Sequence, residues 1–265
     1  MAKIISPFEL RGKVNGMTMY KLRNDDDGDS SAPGIPLKNQ LQQSSTSAGK
    51  RRMNKEFAGK SRAATWLRQA LWPQLPIADI NLTDMLIGLA GRFQALDTDN
   101  PVGIRSVLFS KKPGLMNGLD LNRQNQFDFI IRCRLDFSIK KESMSATVHM
   151  PALVPEDNFH IPVQESVYSI VVSLGMLPDI HYNANGYTPH DLFRTISLID
   201  HAETGWTAVA NGLPAQTFRL QLNDTAPGHP YSLALSAGIR FGTINTQGVV
   251  KRADHTGAAK ILTAV

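Results

Sequence analysis

The chain has 265 residues, 42% hydrophobic and 19% charged, with a net charge of +5. That is length enough for one large or two modest domains with a buried core, and a mean hydropathy of −0.19, with no apolar run near ~20 residues, argues against a membrane-spanning helix. Cys133 is the only cysteine, which rules out an intrachain disulfide and any zinc centre built on several thiolates.

The charge is unevenly spread. Residues 1–72 hold 13 Lys and Arg against 6 Asp and Glu, a net of +7, and since the whole chain is +5 the remainder carries −2. A basic arm on a near-neutral body reads as a docking element, because long-range charge attracts a partner without precise geometry. The first residues lack a sustained apolar stretch, being interrupted by Pro7, Glu9 and Arg11, so no signal peptide is expected. That predicts a cytoplasmic protein, or one released as part of an assembled particle.

The first element predicted is a hairpin. Leu10–Val14 and Met17–Leu22 flank Asn15-Gly16, the dipeptide best suited to the two positive-φ positions of a type I′ turn. Asn24–Ser47 follows, rich in Asp, Ser, Gln, Gly and Pro, and reads as a polar linker with little to bury. Residues 50–72 read as a helix, with Met53, Phe57, Ala64, Leu67 and Leu71 as one apolar stripe, ended by Pro73 and Pro76. A second helix is expected over 82–96, capped by Asn81, with a stripe of Leu82, Met85, Leu86, Leu89, Phe93 and Leu96. The two would form a helical hairpin.

After Pro101 the period changes to two. Residues 127–139 alternate most clearly, with Phe127, Phe129, Ile131, Cys133, Leu135, Phe137 and Ile139 on one face, and Met144–Met150 alternate back as the second arm of an antiparallel hairpin. On that face Cys133 reads as a buried small apolar residue. Further strands are expected at 103–109, 165–174, 191–199, 216–222, 231–244 and 258–264. The fold class expected is therefore mainly β with an N-terminal α-helical segment: an antiparallel immunoglobulin-like β-sandwich plus an extended basic N-terminal arm. The domains would be an arm with hairpin and polar linker (1–48), a two-helix segment (49–100), and a β-sandwich (101–265) in one piece or as two small β subdomains.

Arg11-Gly-Lys-Val-Asn-Gly-Met-Thr-Met-Tyr-Lys21, the basic stretch Arg52-Met-Asn-Lys-Glu-Phe57, and Leu233–Phe241 with Ala258–Leu262 carry a resemblance. They resemble the corresponding segments of an uncharacterised family of Bacteroidota proteins of about this size. The resemblance implies a β-rich, two-part molecule and contributes no catalytic residue.

Motifs with chemistry are few. Ala58-Gly-Lys-Ser61 lacks the upstream glycine of a P-loop, Asn54 standing in its place, and falls inside a helix. Asp25-Asp-Asp-Gly-Asp29 does not fit an EF-hand, which would need a carboxylate where Arg23 and Gly34 stand, and reads as a solvated acidic turn. His181, His190, Asp191, Asp200, His201 and Glu203 are the residue types of a metal or acid–base site, but their spacing matches no motif, and His201 and Glu203 are expected in a turn. The sequence thus points to no catalytic residue, metal or cofactor. The expected function is a non-enzymatic structural or assembly protein whose basic arm docks on neighbouring copies in a homo-oligomer of virion, tube or layer type. The partner-binding residues expected are Arg11, Lys13, Tyr20, Lys21, Arg51, Arg52, Lys55, Arg62 and Trp66. An acidic protein surface is a second possible partner. The alternatives are nucleic-acid binding through the basic helix 50–68 and carbohydrate binding at Tyr182, Tyr187 and Trp206.

Overall fold

The computed structural model describes residues 47–161, 165–222 and 225–265, together with the backbone of five short strands among residues 1–46. The chain divides into two compact units, Met1–Arg51 and Arg52–Val265. In the first, β1 (Lys3–Ile4) pairs with β4 (Ile35–Pro36), and β2 (Gly12–Val14), β3 (Met17–Met19) and β5 (Lys38–Asn39) form a sheet in the order β2-β3-β5. Val14 lies opposite Met17, the register that a two-residue Asn-Gly loop imposes. Apart from β4, β5 and Ser47, the predicted polar linker and its acidic turn lie outside the described residues.

Helix α1 (Ala48–Ala70) lies two residues earlier at each end than the predicted 50–72, and its buried stripe is displaced. Glu56, Gly59, Ala63, Ala64, Trp66, Leu67 and Ala70 face inward, while Met53 and Phe57 are 63% and 57% exposed. In the first turns the inward position is taken by Glu56, whose carboxylate meets Arg105, and Met53 and Phe57 fall outside that face. A 3-10 turn at Trp72–Gln74 follows, with Pro73 at its start. Helix α2 (Leu82–Gln94) runs back antiparallel to α1: Gln94 lies by Gly59, Gly91 by Lys60, and the Arg68 guanidinium donates to Thr83 Oγ1 at 3.1 Å. Asn81 makes no side-chain cap; the Asp79 carboxylate instead accepts the Asn81 N–H.

The expected strand over 127–139 is overturned in its first half. Phe127–Ile130 is a single helical turn, α3, and only β6 (Asp136–Lys140) is a strand. Asp120 accepts the Phe127 N–H and Ile131 N–H closes back on Phe127 O. The run Phe-Asp-Phe-Ile-Ile can place 127, 130 and 131 on a helical face as readily as it alternates, and those three are the buried ones. The antiparallel hairpin itself forms, β6 pairing with β7 (Ser145–Met150), whose Ala146, Val148 and Met150 are buried as expected.

The remaining strands are β8 (Val167–Pro178), β9 (His181–Asn183), β10 (Gly186–Thr188), β11 (Ile199–Glu203), β12 (Thr207–Ala208), β13 (Gln216–Gln221), β14 (Tyr231–Ile244) and β15 (Val250–Ala264). Of the expected strand 103–109 only an isolated bridge, Val107 to Ile180, is present. Residues 191–194 form a 3-10 turn, with β11 starting only at Ile199, so His201 and Glu203 lie in a strand and not in a turn. The final strand begins earlier than expected, at Val250.

The fold is mainly β and antiparallel, preceded by the helical segment. One sheet runs β11-β8-β14-β15, with β12 also on β8; a smaller one runs β13-β7-β6 and packs beside β8 and β11; β9 and β10 make a separate hairpin. Every residue of β8 is buried. One face of the large sheet is built of small residues, with Ser173, Gly175, Ser236 and Gly238 lying under the α1 to 3-10 connection. The contact is close: a Cβ on Gly175 would lie 2.2 Å from Ala70 O, and one on Gly238 2.3 Å from Gln74 Oε1. Gln74 reaches into this face, its amide donating to Val171 O and Ser173 Oγ. The opposite face carries the large residues, among them Tyr168, Leu174, Leu235 and Phe241, and Tyr168 packs on Phe159 at 4.7 Å between ring centroids. Among the described residues no helix is long and apolar enough to cross a membrane.

Candidate docking helix and histidine pocket

The residues expected to bind a partner are divided by the structure. Arg11, Tyr20 and Lys21 lie outside the described residues, and of Lys13 only the backbone, in β2, is described. Arg51, Arg52, Lys55 and Arg62 are exposed on α1, whereas Trp66, at 9% exposure, belongs to the core. Arg51, Lys55 and Arg62 follow at steps of 4 and 7, which places them along one side of the helix, and Met53 and Phe57 follow at a step of 4 along another.

What fixes α1 is a buried ionic clamp. Glu56 accepts from Arg105 Nε at 2.7 Å and Nη2 at 2.6 Å, and from the Gly103 N–H at 3.0 Å. The Arg105 guanidinium holds the Glu56 carboxyl below its ordinary range despite burial, and Glu56 in turn raises Arg105. Gly103, at φ +110°, lies close against the Arg52 stem, which a Cβ on Gly103 would meet at 3.2 Å. One turn on, the ring of Tyr187 lies where a Cβ on Gly59 would be, at 2.7 Å. Burial pushes the Tyr187 phenol up to about 12. Tyr182 packs edge-on against Tyr187 at 5.1 Å, and the Lys55 ammonium sits 5.3 Å from the Tyr182 ring. Beside the clamp, Asp97 accepts from the Asn100 amide and from the N–H groups of Ser106, Asn100 and Asp99. Burial opposes its ionisation, but these donors outweigh it and lower the carboxyl to about 2.

The histidines expected as a possible cluster are only partly brought together. His181 and His190 share a pocket of about 210 Å³ with Asp179 and His229. Asp191 pairs with Arg194 on the 3-10 turn. Asp200, His201 and Glu203 are on β11, where Asp200 accepts from Gln221 N–H and Glu203 pairs with the buried Arg240. Asp179 and His229 carry no spacing signal in the sequence; Asp179 lies between β8 and β9, and His229 just before β14. His190 and His229 stack with ring centroids 3.5 Å apart and planes 22° from parallel. Imidazole lone pairs lie in the ring plane, so two stacked rings cannot aim them at one ion. Among the described residues no group of three or more His, Cys, Asp or Glu is placed to hold a metal. Asp179 accepts from Ser110 N–H and Oγ, with burial raising its carboxyl.

Cys133 lines a separate cleft of about 480 Å³ with Phe127, Leu135, Phe137 and Leu262, flanked by the Lys260–Asp128 pair. It is half-buried rather than fully buried, and burial pushes its thiol up, away from the reactive thiolate. The aromatics considered for sugar binding do not form a platform: Tyr187 is buried, and Trp206 lies over the Arg240 guanidinium at 5.4 Å. No family model, curated protein or solved structure matches this chain.

Proposed function

We propose that this chain is a non-enzymatic structural protein of a homo-oligomeric assembly, with α1 as a docking element against a second copy. The observation that carries this reading is the exposure of the large apolar Met53 and Phe57 on one flank of α1, with the basic row of Arg51, Lys55 and Arg62 exposed on the other flank. Large apolar side chains together with arginine are enriched at the cores of protein interfaces. Charge supports a copy of the same chain as the partner, since residues 73–265 carry −2 against the +6 of residues 50–68. The immunoglobulin-like sandwich is, on this reading, the rigid body that the docking elements connect.

The test is the particle mass of the full-length protein by light scattering at low and high salt. A discrete mass above 29.1 kDa, reduced by the double substitution Met53→Glu and Phe57→Glu, is the expected result. A monomer at both salts overturns the reading. A second reading, nucleic-acid binding, follows from the basic row alone. It predicts affinity for a single-stranded oligonucleotide that falls steeply with salt and is lost when Arg51, Arg52 and Lys55 are neutralised.

A further inference from the structure

We propose that β6 is a self-complementary edge through which two copies pair, extending the small sheet across a two-fold axis. The inference rests on the self-assembly reading above and assigns it a second contact, distinct from α1. In the sheet order β13-β7-β6, β6 is an edge, and among the described residues no strand lies beyond it. An edge strand presents unpaired backbone N–H and C=O groups to any extended chain.

The sequence of β6 is Asp136-Phe-Ser-Ile-Lys140. Laid antiparallel on a second copy about Ser138, it puts Asp136 opposite Lys140 and Lys140 opposite Asp136, with Phe137 and Ile139 meeting twice. Each residue then contacts the partner residue that contacts it, the condition for an isologous two-fold interface. Opposite charges and aromatic–β-branched pairs directly across an antiparallel ladder are both favourable. Parallel pairing in register would set Asp136 against Asp136 and Lys140 against Lys140. The charges that guard an ordinary edge here select one orientation and one register.

Burial points the same way. Phe137 and Ile139 lie opposite Val148 and Ala146 of β7, on the same face of the sheet. Val148 and Ala146 are buried, but Phe137 is 41% exposed and Ile139 only partly covered. Phe137 also lines the cleft described above, and Phe129 of α3, the residue after its lining residue Asp128, is 66% exposed. A second β6 would cover this apolar edge on both copies at once.

The experiment is a charge-swap series on the full chain, read by sedimentation velocity and native mass spectrometry. Asp136 and Lys140 are both exposed, so neither substitution disturbs the core. Asp136→Lys alone and Lys140→Asp alone each set like charges opposite in the homodimer, and each should weaken pairing about tenfold. The double variant Asp136→Lys with Lys140→Asp should regain it. An equal mixture of the two single variants should form a mixed dimer, because each then offers the other two opposite-charge pairs. Self-association that is unchanged in the single variants overturns the β6 contact and leaves the assembly reading standing. A wild-type protein that stays monomeric overturns both.

Discussion

Gly88 and Gly175 share a side chain and have opposite tolerances. Nothing lies within 4 Å of a Cβ on Gly88, which is in α2, so Gly88→Ala should stabilise by about 0.5–1 kcal/mol through helix propensity. A Cβ on Gly175 would collide with the Ala70 carbonyl and methyl, backbone that cannot swing aside, and Gly175→Ala should cost about 1–3 kcal/mol. Urea unfolding of the two variants checks both signs. Asp97 makes a prediction in pH. Its folded carboxyl is lowered from 3.8 to about 2, so the stability it contributes is complete above the unfolded value and is lost as pH falls towards about 2. Glu56 is shifted the same way, while Asp120 and Asp179, raised by burial, work in the opposite sense. Asp97→Asn should therefore be less stable than wild type at pH 5, by an amount that shrinks by about 2 kcal/mol on going to pH 2. A difference that did not change with pH would refute the electrostatic role.

At the scale of elements, α1 shows what a sequence pattern can and cannot carry. Its length followed from composition and from Pro73, and its second half faces inward at Ala64 and Leu67 as the periodicity predicts. Its first half does not: the inward position is taken by Glu56, which meets Arg105, a residue 49 positions along the chain. No local pattern encodes a partner at that distance. Leu67→Ala should cost about 2–5 kcal/mol, whereas Phe57→Ala should stay within about 0.5 kcal/mol. Equal costs would return the stripe to its predicted place. The strands β13 and β14 were readable almost to the residue, since alternation or a long apolar run bounded by turns leaves little choice. Residues 127–131 were not, because five nearly apolar residues satisfy a helical face and a pleated one alike. The pocket holding His181 and His190 was partly legible: Asp179 stands two residues before His181, whereas His229 reaches it only through the chain's folding.

For the molecule as a whole, the helical segment and the sheets share one buried cluster, running from Ala63 and Leu67 through Leu174 and Ile239 to Ile261. Gln74 and Asn122 tie it together with polar bonds: the Asn122 amide lies within donating distance of the carbonyls of Ile77, His255 and Gly257. The unit from Arg52 onward should lose its helices and strands in a single step. Far-UV circular dichroism and tryptophan fluorescence should then give coincident unfolding curves, and separated curves would show that the helices melt apart from the sheet. The burial of β8 has a further consequence. All twelve of its residues need cover, and its principal neighbour β14 begins only at Tyr231. During synthesis on the ribosome, Val167–Pro178 emerges well before that neighbour exists. The nascent chain therefore passes through a stage in which a long, sparsely charged strand is bare, and its yield in cells should depend on translation speed and on chaperones that shield it until the sheet can close.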